Sequence, residues 1–315
     1  MPEKLKGSIH LARVAGIDLY LHWTWFAVAL FEIQSRRGLY SSIVWNILEY
    51  LALFLIVLMH EFGHALACRQ VGGISNRIML WPLGGVAYVN PPQRPGATLW
   101  SLAAGPLVNV ALLPVFWAAL NFASLHGWAY TSPDLYHFIR AVYLIDIMLL
   151  VFNLLPVYPL DGGQILRSLL WFLVGRGRSL MLATIIGFVG VAAFLALAVY
   201  VHSVWYGAMA VFMLMSCWGG LANARAILRL ARLPRHPGFA CPSCREAPPI
   251  GPIWVCKQCS NRFDPFETGA TCPSCSARSE MTQCPECGQS APFAHWSASP
   301  AVRPEPAVES LPGTR

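Results

Sequence analysis

The chain has 315 residues, of which 56% are hydrophobic and only 12% charged, with a mean hydropathy of +0.51. Soluble domains carry about twice that charged fraction, so the composition excludes an ordinary soluble enzyme and implies a polytopic membrane protein with something appended. The formal net charge of +7 needs no nucleic acid to explain it, because basic residues flanking apolar spans supply most of it.

The first sixteen residues, MPEKLKGSIHLARVAG, lack the apolar core of a cleaved targeting peptide. Residues 8–21, SIHLARVAGIDLYL, read as a short interfacial strand or turn. Six apolar segments are expected as spans, at 20–33, 43–68, 99–122, 138–156, 180–201 and 204–222. Each lies near the ~20 residues that a bilayer demands, except the first, which is short. Residues 80–89, LWPLGGVAYV, are apolar but broken by Pro82, Gly84 and Gly85. They are too short to cross, and a membrane-dipping loop or hairpin is expected there.

The second segment carries His60-Glu61-Phe62-Gly63-His64. On a helix, residues four apart share a face, so both imidazoles can bind one zinc ion. Glu61 lies beside them, placed to activate a zinc-bound water. Two histidines packed in a helical core are the plain alternative, but ionisable groups inside a span are costly unless they have a task. A catalytic zinc takes three protein ligands and keeps one position open. The best third ligand is Asp161 in NLLPVYPLDGG, residues 153–163, which follows a Pro-broken helix end. Cys68, four residues beyond His64, would close the site as a fourth ligand and is read as a small packing residue. Asp146 is read as orienting a ligand, lining a water path or making a helix–helix contact. Glu49 is read as interfacial, His22 as an interfacial anchor away from zinc, and Gly105 with Asn109 as close packing plus an interhelical hydrogen bond.

Lysine and arginine set the orientation. Lys4, Lys6, Arg13, Arg69, Arg77, Arg94, Arg167, Arg176, Arg178, Arg225, Arg229, Arg232 and Arg235 fall on one side, against Arg36, Arg37 and Arg140 on the other. The positive-inside rule then puts both termini in the cytoplasm, most simply of a prokaryotic cell membrane. His60 precedes Arg69 by nine residues, roughly 13 Å of helix below the cytoplasmic surface. Asp161 arrives near the same depth from the fourth span.

In order along the chain, HEFGH, LWPLGGVA, AAGPLVN (residues 103–109) and NLLPVYPLDGG resemble the site-2 protease family of intramembrane zinc metalloproteases. The resemblance covers residues 8–225 or so. It implies a three-span core around the zinc, with His60, His64 and Asp161 as ligands and Glu61 as the base. It also implies cleavage of a substrate's transmembrane helix, with Asn153 helping to hold substrate. No segment is long enough for the PDZ domain that some members carry, which points to the branch with flanking spans and a cytoplasmic C-terminal domain. Gly84 and Gly85 are expected to meet the unwound substrate by strand addition.

After Pro234 the composition changes. Cys241/Cys244, Cys256/Cys259, Cys272/Cys275 and Cys284/Cys287 are four CxxC knuckles, separated by 11, 12 and 8 residues. Such pairs suit tetrahedral zinc thiolate sites, and repetition argues against a redox role. Two structural zinc ribbons are expected, most simply 241/244/256/259 with 272/275/284/287, a crossed pairing being the alternative. Residues 236–296 hold four Lys/Arg and five Asp/Glu, an acidic balance once thiolates are counted, so a protein partner is expected rather than nucleic acid. Residues 297–315 read as disordered. The expected plan is an α-helical polytopic protease domain (1–235), a double zinc-ribbon module (236–296) and a tail (297–315). It would hold one catalytic and two structural zinc ions in a lipid bilayer. The alternative is a non-proteolytic zinc sensor or carrier, or a scaffold acting through its ribbons.

Overall fold

A computed structural model describes residues 7–35, 38–81 and 84–296. The expectations for residues 297–315, for Pro82, and for Arg36 and Arg37 fall outside these. The chain separates into two units, Met1–Ile227 and Leu228–Arg315.

The first unit begins with a hairpin. β1 (Ser8–Val14) and β2 (Ile17–His22) turn through Ala15 and Gly16, both at positive φ, as a tight two-residue hairpin turn requires. β2 leads into α1 (Thr24–Ser35), and α2 (Ile43–Gln70) returns the chain to β3 (Ile74–Trp81), which pairs parallel to β2. β4 (Gly84–Asn90) closes a four-stranded sheet of order β1-β2-β3-β4 and is its edge. Residues 8–21 are therefore strands, and LWPLGGVAYV supplies the facing ends of β3 and β4, with Gly85 opposite Leu80 and Gly84 opposite Trp81. Arg69 ties the helix to this sheet. Its guanidinium donates to the carbonyls of Ala15 (2.5 Å), Gly16 (2.9 Å) and Ser75 (2.8 Å).

The helical body follows: α3 (Pro95–Leu125), the single turn α4 (Trp128–Thr131), α5 (Pro133–Leu154), α6 (Asp161–Val174), α7 (Arg176–Tyr200) and α8 (Val204–Ala231). Among the described residues five helices are long and apolar enough to cross a membrane, namely α2, α3, α5, α7 and most of α8. They are apolar on all sides and leave large side chains such as Leu55, Val110 and Val151 outside the protein interior, as lipid-facing helices do. The expected first span is the departure. Its opening residues belong to β2, and the 12 residues left in α1 rise about 18 Å, short of the ~30 Å hydrocarbon thickness. α2, α3 and α5 pack together as the core, with α6 against α3.

In the second unit two small antiparallel ribbons, β5 (Trp254–Val255) with β6 (Arg262–Phe263) and β7 (Met281–Gln283) with β8 (Ser290–Pro292), flank an aromatic cluster of Phe239, Trp254, Phe266, Phe293 and Trp296.

Candidate metal centre and active site

α2 places His60 and His64 one turn apart, both buried. α6 begins at Asp161, and the turn of residues 155–160 swings that carboxylate toward them. His60 Nε2, His64 Nε2 and Asp161 Oδ2 form a near-equilateral triangle, with 3.1 Å between the nitrogens and 3.0 and 3.3 Å from them to the oxygen. Ligands about 2.05 Å from a tetrahedral zinc lie about 3.3 Å apart, so the triangle fits one face of such a site.

The far side of each ring explains why the inner nitrogens are free to ligate. His64 Nδ1 donates to the Ser101 carbonyl (2.8 Å), and His60 Nδ1 donates to Asn109 Oδ1 (2.6 Å). Both protons are thereby held on Nδ1, which leaves Nε2 as a lone pair aimed at its neighbours. Three acceptors converging without a proton between them is an arrangement that a cation stabilises. Glu61 is buried in the same helical turn.

Two glycines make the approach possible. A Cβ at Gly105 of α3 would press on both imidazole Nε2 atoms, and one at Gly162 would overlap the Leu154 carbonyl. α3 can therefore lie against the histidines, and α6 can start hard against the end of α5. The turn between them is held from behind by α7 and α8. Val157, Tyr158 and Leu160 pack on Val191, Met213 and Cys217, and the Cys217 thiol donates to the Tyr158 carbonyl (3.2 Å). The flanking helices thus support the delivery of Asp161.

The remaining sequence candidates sort clearly. Cys68 is buried outside the triad, its thiol 3.7 Å from the Ile74 carbonyl, in keeping with a packing role. His22 stacks on Trp81 at 4.1 Å, away from the metal centre. Glu49, read as interfacial, has a partner inside the protein. It is buried, accepts a 2.6 Å hydrogen bond from Tyr40 and lines a cavity among α2, α5, α7 and α8, because the phenol supplies the partner that water would have given. Asn153 is half-buried in the last turn of α5, and its side-chain amide has no hydrogen-bond partner among the described residues. Asn109 is more than an interhelical contact. It joins His60 to Asp146, whose Oδ1 accepts from Asn109 Nδ2 at 2.6 Å.

The cysteines form two clusters, but not the adjacent pairs that were the simplest expectation. Cys241, Cys244, Cys284 and Cys287 gather in one, and Cys256, Cys259, Cys272 and Cys275 in the other, so the second ribbon is nested within the first. Short loop lengths favoured the adjacent pairing, whereas the aromatic cluster draws the module's ends together, with Ala240 N donating to the Trp296 carbonyl at 2.8 Å. Sγ–Sγ distances of 3.6–3.7 Å match the edge of about 3.8 Å for a zinc tetrathiolate. The backbone amides of Cys259 and Gln258 push the Cys256 thiol down to about 6, favouring the thiolate that a metal needs. Sequence reasoning missed the clasp between the ribbons, where His236 Nε2 donates to Asp264 Oδ2 (2.8 Å), which also accepts from Gly251 N (2.7 Å). Neither residue has motif context to announce it.

Comparison with known proteins agrees with this geometry. Residues 49–130 and 126–197 match the profile of Peptidase family M50. A zinc metalloprotease of Methanocaldococcus jannaschii is 34% identical over 180 residues, covering 57% of this chain and 50% of that protein. Stage IV sporulation protein FB of Bacillus subtilis is 32% identical over 120 residues, covering 37% of this chain and 38% of that protein. The solved site-2 protease from M. jannaschii superposes with a TM-score of 0.50 at 26% identity, covering 68% of this chain and 95% of that one. The chain spans about half the length of the curated relatives it matches. In its fold and in the grouping of His60, His64 and Asp161 the chain is similar to membrane-embedded zinc metalloproteases. The solved structure it is similar to is a site-2 protease, the family that the sequence motifs resemble.

Proposed function

We propose that the chain is an intramembrane zinc endopeptidase that cuts transmembrane segments of other membrane proteins. The observation that carries the reading is the triangle of His60, His64 and Asp161, with Glu61 buried in the same turn. Zinc held there supplies a water acidified toward neutral pH and a Lewis acid for the scissile carbonyl. Glu61 takes a proton from the attacking water and returns it to the leaving amide nitrogen. The amide of Asn153, unengaged by other described side chains, donates to the substrate backbone near the cut. A membrane helix has its backbone groups paired internally, so the substrate must unwind before attack. The open edge of β4, with Gly84 and Gly85, then offers backbone partners to the unwound strand.

In this reading both termini lie in the cytoplasm, most simply of a prokaryote. The distribution of Lys and Arg supports that placement, as does the return of α2 to the sheet that β2 left, because the segment holding α1 must then reach the far end of α2 and make a sixth crossing, part helix and part loop. The cysteine module holds two structural zinc ions, and its acidic balance suits a cytoplasmic protein partner. The test is a transmembrane substrate in proteoliposomes, with products sized by mass spectrometry. Activity should disappear with a chelator, return with zinc, and cut inside the apolar segment. Cleavage that survives full metal removal contradicts the proposal.

A further inference from the structure

We propose that Asp146 is a positioning residue that fixes the tautomer of His60 through Asn109. The two zinc-directed histidines are held differently. His64 Nδ1 faces the Ser101 carbonyl, a fixed acceptor that leaves no choice about where its proton sits. His60 Nδ1 faces a side-chain amide, which presents either oxygen or NH2 depending on its rotation. With oxygen toward His60, the ring carries its proton on Nδ1 and Nε2 is a ligand. With NH2 toward His60, the proton moves to Nε2 and the ligand is lost.

Asp146 decides between these. Its carboxylate Oδ1 lies 2.6 Å from the other end of the Asn109 amide. An ionised carboxylate only accepts, so it draws the NH2 and turns Asn109 Oδ1 to His60. Both residues are fully buried, at 0% exposure, which shuts out water that could substitute. Asp146 Oδ2 has no hydrogen-bond partner among the described residues. A carboxylate in a membrane-crossing helix with half its capacity unused is a poor stabilising device. The bond to Asn109 is the one side-chain hydrogen bond that Asp146 makes among the described residues. α5 thereby reaches the metal centre through α3, although Asp146 itself does not touch His60.

This inference rests on the zinc site of the proposed function. The experiment measures zinc equivalents retained by the purified full-length protein across a chelator titration. In Asp146→Asn, position 146 can donate, Asn109 is free to turn, and the equivalent held by His60, His64 and Asp161 should leave at about 10- to 100-fold lower chelator. The two equivalents of the cysteine clusters should stay. The exchange variant Asp146→Asn with Asn109→Asp restores the polarity, because the new carboxylate accepts from both His60 Nδ1 and the new amide. It should regain wild-type retention. A purely structural role for Asp146 gives no such rescue. The inference is overturned if Asp146→Asn holds its zinc like wild type, or if the exchange variant does no better than the single one. Should the single variant not fold, the exchange variant decides alone, and failure to fold or to hold the third zinc overturns the inference. A wild-type protein holding only two equivalents would instead remove the zinc site, and with it the proposed function.

Discussion

Gly105→Ala sets two effects against each other. Inside a helix, alanine is favoured over glycine by about 1 kcal/mol, so propensity alone says the change stabilises α3. The site says otherwise. A Cβ at 105 would sit 2.8 Å from His60 Nε2 and nearer still to His64 Nε2, where ordinary contact begins at 3.4 Å. Relief of the tighter contact, to His64, needs a shift of about 1 Å by the ring or by α3, and misplacing reactive groups by about 1 Å costs on the order of 100-fold in rate. Withdrawal of α3 would open the tight seam at Gly63 of α2, where even a Cβ would lie 2.6 Å from the Ala104 carbonyl, and so would lose the packing that holds the two helices together. The purified variant should keep its helical content and its thermal midpoint, lose the zinc equivalent of the histidine site, and cleave a transmembrane substrate at least about 100-fold more slowly. Wild-type activity and zinc content in Gly105→Ala would refute the close approach of α3 to the metal ligands.

Other expectations follow from the same geometry. Metal analysis of the wild-type chain should give three zinc ions, and Asp161→Ala should give two. Cys241→Ser and Cys287→Ser should each release the same zinc ion, with no further loss when combined, and leave the 256/259/272/275 cluster loaded; adjacent pairing would instead couple Cys287 to Cys272. Replacing Gly84 and Gly85 with valine adds branched side chains to the edge strand β4 and should slow cleavage while zinc retention stays at three; unchanged cleavage would remove β4 from substrate binding.

The residues proposed as zinc ligands were legible because such chemistry imposes a spacing. Two histidines one helical turn apart beside a glutamate leave a signature in five residues, and Asp161 carries its own in the Pro-rich turn and the two glycines that follow. The five long helices were legible from apolar length alone, whereas α6 was not, because its 14 residues are too short to read as a span. α1 was not, because Tyr20–His22 runs straight into its apolar residues and only pairing with β1 and β3 shows it to be strand. Glu49 looked interfacial from its position, but the fold brings Tyr40 to it. The nested cysteine pairing depends on where the aromatic residues of the module meet, which spacing between knuckles does not encode. Asn109 and Asp146 are 37 residues apart and were visible only as isolated polar groups in spans. Their relation to His60 is a product of how α3 and α5 pack on α2.

The most direct measurement compares wild type with Glu61→Gln on a purified transmembrane substrate, with zinc content determined in parallel. The account predicts that the variant keeps all three zinc ions and loses about 10²- to 10⁴-fold in cleavage rate, because only the proton carrier has been removed. Equal cleavage by the two proteins would contradict it, as would a wild type that binds zinc fully and cuts no transmembrane segment.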